Sequence, residues 1–183
     1  MASLERTGTP TRLRFLVGLT PLLCGLACTF LTNIPVSLLG GLVPPPLLAL
    51  VPIYFWGLIR PDLMTPVTVL GIGFAEDVLS GGPAGVSTLS FVLTYALVAR
   101  YRDSFAGLAG LAAVVGFAAA ATFACATAYC TVAALAFITP GAHSPALGSS
   151  ISELAMTVLS YAPAVLVVSW LHHKLVGASR GDV

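Results

Sequence analysis

Apolar residues in this chain run in long unbroken stretches, without the strict alternation that marks a half-buried strand. Six stretches can be drawn, over residues 13–32, 44–59, 66–80, 86–100, 106–138 and 151–173. Between them lie Asn33-Ile34-Pro35, Arg60-Pro61-Asp62, Ser80-Gly81-Gly82-Pro83, the run from Arg100 to Asp103, and the run from Thr139 to Gly148. A bilayer core asks a helix for about 20 apolar residues. The pattern therefore predicts an all-α, polytopic membrane protein with six transmembrane helices. Local signals mark some of the helix starts. Thr65 before Pro66 reads as an N-cap with proline at the first helical position. Ser150-Ile151-Ser152-Glu153 reads as a capping box for the last span, and Asp103 as a cap for the fifth.

The basic residues orient this arrangement. Arg6, Arg12 and Arg14 precede the first stretch, Arg60 lies in the second connection, Arg100 and Arg102 in the fourth, and Lys174 and Arg180 follow the last. The first, third and fifth connections hold no Lys or Arg, so all eight fall on one side, which the positive-inside rule makes cytoplasmic. Both termini are then inside, as a short tail over 1–12 and another over 174–183 flanking a six-helix domain over 13–173. The first stretch, too long for a signal-peptide core and without a small-residue cleavage site before Asn33, reads as a retained anchor. Composition agrees. Hydrophobic residues make up 57% of the chain and charged residues 8%, against about 45–50% and 25% in soluble domains. That excludes a water-soluble body and a disordered one alike. With a net charge of +1 and no basic run, nothing points to nucleic acid.

The spans are of two kinds. The second, third and fourth are short, and hold Pro44-Pro45-Pro46, Pro52, Pro66 and the acidic pair Glu76-Asp77. Interrupted segments of this sort either build binding sites and partner contacts or simply thin the bilayer, and both readings stay open here. The fifth stretch is long and alanine-rich. Ala112, Gly116, Ala120, Ala124 and Ala128, spaced by four, form a ridge without large side chains that is expected to pack within its own bundle.

Among chemically capable residues the acidic pair is the sharpest feature. A carboxylate at mid-membrane costs about 2.5–3.5 kcal/mol on insertion scales. Neighbours on a helix diverge by about 100°, so Glu76 and Asp77 cannot act as a side-by-side dyad. Asp77 shares its face with Gly73 and Gly81 and is expected to be buried or matched by a partner; Glu76 and Glu153 are expected at the hydrated interface. Cys24, Cys28, Cys125 and Cys130 form no CxxC and read as small apolar fillers. His172, His173 and Lys174 read as a polar helix end, His143 stands alone in an outer loop, and Tyr54-Phe55-Trp56 beside Arg60 read as an interfacial aromatic belt. No phosphate loop or HExxH motif occurs, Ser87 and Ser90 have no histidine at their depth, and Asp77 has no second aspartate. Neither an enzyme nor a cofactor, metal or catalytic residue is expected.

Residues 47–102 resemble the MreD family of bacterial rod shape-determining membrane proteins. The resemblance rests on Ile53-Tyr54-Phe55-Trp56 leading to Arg60-Pro61, then on Gly73, Asp77, Gly81 and Gly85 at fixed spacing, then on Val86-Ser87-Thr88-Leu89 opening a span that ends in a basic cluster. Glu76 beside Asp77 departs from the pattern and leaves open which acid does the family's work. The resemblance implies a non-enzymatic subunit of the cell-elongation machinery in the bacterial inner membrane. Such a subunit would scaffold MreC and, through it, join the MreB cytoskeleton to RodA and its transpeptidase, which build lateral-wall peptidoglycan. Its partners would be those proteins and membrane lipid, with no small-molecule substrate. Asp77, Glu76, Gly73, Gly81 and Gly85 would form the partner-binding face. A substrate-binding subunit of an energy-coupling-factor vitamin-type transporter has the same size and span count and is the alternative. A gathering of polar side chains in one pocket would favour it.

Overall fold

The computed structural model describes residues 11–34, 44–106, 111–139 and 146–176, with the side chains of 11–17, 105–106 and 175–176 excepted. Most of both tails, the Pro35 connection, His143, Arg6 and Arg180 lie outside the described residues. Every regular element among the described residues is helical: α1 Thr11–Asn33, α2 Leu50–Ile59, α3 Pro66–Ser80, α4 Val86–Arg100, the short α5 Arg102–Ala106, α6 Leu111–Ile138 and α7 Leu147–Leu171. A π-helical turn, His172–Val176, continues α7. The segment Leu147–Lys174 and α6 are each long and apolar enough to cross a membrane, while Gly18–Asn33, α2 and α4 are shorter apolar helices.

The predicted limits of the third and fourth stretches coincide with α3 and α4. Thr65 caps α3 as expected, its hydroxyl accepting from the Thr68 amide at 3.3 Å, with Pro66 at the first helical position. Two other start signals fail. α7 begins at Leu147, with Ala146 at the N-cap, so Ser150 to Glu153 lie inside the helix and form no capping box. Asp103 sits in the first turn of the short α5 and not at the N-cap before it, and residues 107–110, between α5 and α6, lie outside the described residues.

Successive long helices run in opposite directions. Thr32 at the end of α1 meets Pro46 just before α2, and Leu47 meets Thr157 in the first half of α7, whereas Phe55 late in α2 meets His172 beyond the end of α7. Arg60, Arg100 and Lys174 follow or close helices that end on one side of the bundle. Among the described residues the opposite end carries no Lys or Arg.

The core is built on α2. This helix is apolar all round, the signature of a helix enclosed by others, and seven of its ten residues are buried: Leu50, Val51, Pro52, Ile53, Tyr54, Trp56 and Gly57. Tyr54 and Trp56, 3% and 0% exposed, are therefore core residues and not an interfacial belt. Phe117 of α6 stacks on Tyr161 of α7 with centroids 4.2 Å apart, and Tyr54 stands edge-on to both. Offset and edge-to-face pairs of this kind each add about 0.5–1.5 kcal/mol beyond area burial. The small-residue ridge of the fifth stretch packs inward over part of its length: Gly116, Ala120 and Ala124 are buried, while Ala112 is exposed. Ser90 of α4 donates to the Ala124 carbonyl at 2.6 Å, an approach that only a small residue there permits.

The turn from α2 to α3 is fastened at two points. Arg60 pairs with Asp62 at 2.9 Å in the open, and the hydrogen bonds it donates to that carboxylate raise the guanidinium pKa above its usual range. Exposed pairs of this sort contribute about 0–1 kcal/mol. Tyr95 of α4 contributes more, because its buried hydroxyl donates to the Met64 carbonyl at 2.5 Å. Tyr95→Phe strips that carbonyl of its donor and is expected to lower stability by about 1–3 kcal/mol. Thermal unfolding in nanodiscs checks this against Tyr101→Phe, whose exposed ring should tolerate the change.

Candidate functional site

The two adjacent acids point to different neighbours, as their angular separation requires. Asp77 is 5% exposed and faces the start of α4. Its carboxylate accepts from the amides of Gly85, Ser87 and Thr88 at 2.9, 2.8 and 3.1 Å, and from the Thr88 hydroxyl at 2.5 Å. These amides are orphan donors at a helix N-terminus, the groups an N-cap side chain normally satisfies. Gly85, the N-cap of α4, has no side chain to offer and takes φ 95°, in the left-handed region. An aspartate eight positions upstream supplies the cap in its place. The positive end of the α4 dipole and four charge-assisted bonds offset the desolvation of the carboxylate.

The glycines predicted with Asp77 serve this junction. Gly81 closes α3 in the left-handed conformation, φ 65°, which turns the chain back toward α4. Gly73 lets the two helices touch: a Cβ there would lie 2.6 Å from the Thr88 Cα and 3.3 Å from the Ser87 carbonyl. The glycine face of α3 was expected to admit a closely packed helix, and that helix is α4 of the same chain. Asp77 is thus answered by its own protein.

Glu76 turns the other way, and it is not at a hydrated interface. Only 4% exposed, it accepts from the Asn33 side-chain amide at 3.0 Å, and Asn33 also donates to the Thr29 carbonyl at 2.9 Å. Asn33 drew notice in the sequence only as a breaker between spans. It is in fact the polar end of α1 that fixes the Glu76 carboxyl.

Glu76 lines a cavity of about 310 Å³ at the end of the bundle that carries no Lys or Arg. Thr32 and Asn33 come from the end of α1, Pro45 and Leu47 from the segment before α2, Ser80 from the end of α3, and Ser87 and Ser90 from the first half of α4. Cys125, Tyr129 and Val132 of α6 and Ser149, Ser150 and Glu153 of α7 complete the wall. Glu153 is half-buried and lines the same space as Glu76. The failed capping box explains why Glu153 is available: deep in the second turn of α7, it projects into the cavity and does not reach back to an N-cap. Asp77 does not line the cavity.

Chemically the cavity is suited to recognition. Among the described residues that line it there is no histidine or lysine to activate Ser87 or Ser90, and the Ser90 hydroxyl is held by Ala124 and Thr127. Among the described residues no three His, Cys, Asp or Glu side chains cluster as a metal site, and the four cysteines are free. Two carboxylates, several hydroxyls and an amide offer hydrogen-bond acceptors to a cationic or donor-rich group.

The chain matches the family model described as rod shape-determining protein MreD over residues 11–172, nearly its whole length. No curated protein and no solved structure matches it at a significant level. The chain belongs to the MreD family of rod shape-determining membrane proteins.

Proposed function

We propose that this MreD-family chain is a six-span subunit of the inner membrane, with both termini in the cytoplasm, that scaffolds MreC. Through MreC it would connect the MreB cytoskeleton with RodA and its transpeptidase in lateral-wall synthesis. The family match over residues 11–172 carries this reading. The placement of Arg60, Arg100 and Lys174 at one end of the bundle supports the orientation. The cavity end is then the outer one, where a periplasmic partner anchored in the same membrane would approach.

Of the residues expected at the partner-binding face, Glu76 is the one we assign to docking. Asp77, Gly73, Gly81 and Gly85 act beneath it by building the α3–α4 hairpin. In a strain lacking the protein, the chain should restore rod shape, and MreC should co-purify with it from gently solubilised membranes. Rod shape without any recovered MreC would overturn the scaffold reading.

One observation favours a second reading. Glu76, Glu153, Asn33, Ser87 and Tyr129 converge on one cavity of about 310 Å³, close to the lower limit for small-ligand pockets, about 300 Å³. A transporter's substrate-binding subunit would look like this. Native mass spectrometry decides between the two: a retained small molecule together with a co-purifying ATPase pair would support transport, and MreC in their place supports the scaffold.

A further inference from the structure

We propose that the cavity between Glu76 and Glu153 is a socket for one basic side chain, lysine or arginine, from the outer juxtamembrane segment of a membrane-anchored partner. The inference deepens the scaffold reading and rests on it. It starts from a charge imbalance inside a shaped space. Glu76 and Glu153 come from α3 and α7, helices that approach the cavity from different sides, and both line it. No lysine, arginine or histidine lies among the lining residues. Residues 35–43 and 140–145, the chain's own connections between the spans at that end, contain no lysine or arginine and a single histidine, His143. A lysine or arginine to answer the two carboxylates has to come from another molecule.

Shape and lining favour a side chain over a bare ion. About 310 Å³ accommodates a guanidinium or ammonium group with its methylene stem and leaves little room for a larger ligand. A lysine or arginine inserts an apolar stem behind a charged head. The lining offers apolar wall for the stem in Pro45, Leu47 and Val132, and acceptors for the head in the two glutamates, Ser149 and Ser150. Buried carboxylates hold such a head with charge-assisted, often bidentate bonds. Asn33 keeps Glu76 in place beforehand through its 3.0 Å hydrogen bond, so the site is already formed in the unpartnered chain.

The test has two arms, both on the full chain in nanodiscs. In the first, n-butylguanidinium chloride is the probe and n-butylurea its uncharged control. Butylguanidinium should raise the unfolding temperature by several degrees, butylurea should not, and the Glu76→Gln/Glu153→Gln chain should lose the response. Equal stabilisation by the urea, or a retained response in the double variant, overturns the socket. Glu153→Gln alone, which breaks no hydrogen bond of the fold, should weaken the response and guards against misreading an unfolded variant. In the second arm MreC is co-expressed, and the double variant should recover about tenfold less of it than the wild type. A butylguanidinium response with unchanged MreC recovery overturns the partner as the source of the cation and favours a free organic amine. Failure of the wild-type chain to recover any MreC overturns the scaffold reading, while a response controlled by both acids still supports a cation-binding cavity.

Discussion

Asp77→Ala is expected to be the most damaging truncation of a polar side chain in this protein. The carboxylate terminates three backbone amides and one hydroxyl at the start of α4, at 2.5 to 3.1 Å. Removing it leaves the amides of Gly85, Ser87 and Thr88 unpaired at a buried junction where the nearest N-cap residue is a glycine. A buried donor left unsatisfied costs about 1–3 kcal/mol, and a hydrogen bond to a charged group contributes about 1.5–3 kcal/mol. Since the losses share one junction they will not sum, but a total of about 3–5 kcal/mol follows. Asp77→Asn keeps one oxygen as acceptor but turns an NH2 toward the remaining donors, so it should lie between alanine and wild type. Asp77→Lys reverses the charge at the positive end of the α4 dipole and should not fold. Thermal unfolding gives the order, and amide hydrogen exchange at Ser87 and Thr88 should rise first. Were exchange there unchanged in Asp77→Ala, the capping role would be wrong. Any loss of partner binding in these variants should accompany loss of α4 anchoring. Glu76→Gln, in contrast, should affect binding with little change in stability.

This division between a structural acid and a docking acid could not be read from the chain. The spacing of Gly73, Asp77 and Gly81 correctly marks a face of α3 made for close approach, and helical geometry correctly separates it from Glu76. What spacing does not say is which helix fills that face, because a cap supplied from eight residues upstream depends on how tightly the Gly81-Gly82-Pro83 turn folds back. α3 and α4 were legible to the residue because Thr65, Pro66, Gly81 and Gly85 punctuate them. α2 was not, since in lipid both the core-facing and the lipid-facing sides of a helix are apolar, and the contrast that reveals burial in a soluble protein vanishes. Hence Tyr54 and Trp56, with an arginine four residues beyond, read as an interface although they are the centre of the core. The same blindness hid the cavity. Its walls come from segments scattered between Thr32 and Glu153, among them Ser, Thr and Asn residues near helix ends. Each of these, taken alone, reads as a turn or a cap.

The second large effect is expected at Gly73, and the comparison with Gly25 shows why. Both glycines lie where α3 meets a neighbour, and both leave no room for a methyl group. At Gly25 of α1 the added carbon would meet Cδ1 and Cγ1 of Ile72, so a buried, β-branched side chain has to shift, but no backbone atom does. Alanine also gains about 0.8–1.0 kcal/mol over glycine in a helix interior. Gly25→Ala should therefore cost less than Gly73→Ala. At Gly73 the obstacle is backbone: the Thr88 Cα at 2.6 Å and its amide nitrogen at 3.1 Å, atoms that move only if α4 moves. Overpacking a core costs about 1–3 kcal/mol even where side chains can adjust, and separating α3 from α4 also stretches the bonds from Asp77 to the Ser87 and Thr88 amides. Gly73→Ala should cost about 2–3 kcal/mol, and Gly73→Leu should prevent the hairpin from closing. A double-mutant cycle gives the sharper check. If Gly73 and Asp77 serve one junction, Gly73→Ala combined with Asp77→Ala should cost less than the sum of the two by at least about 0.5 kcal/mol. Simple additivity would mean that the close approach and the cap are independent, and that the glycine spacing is not there to bring the carboxylate to α4.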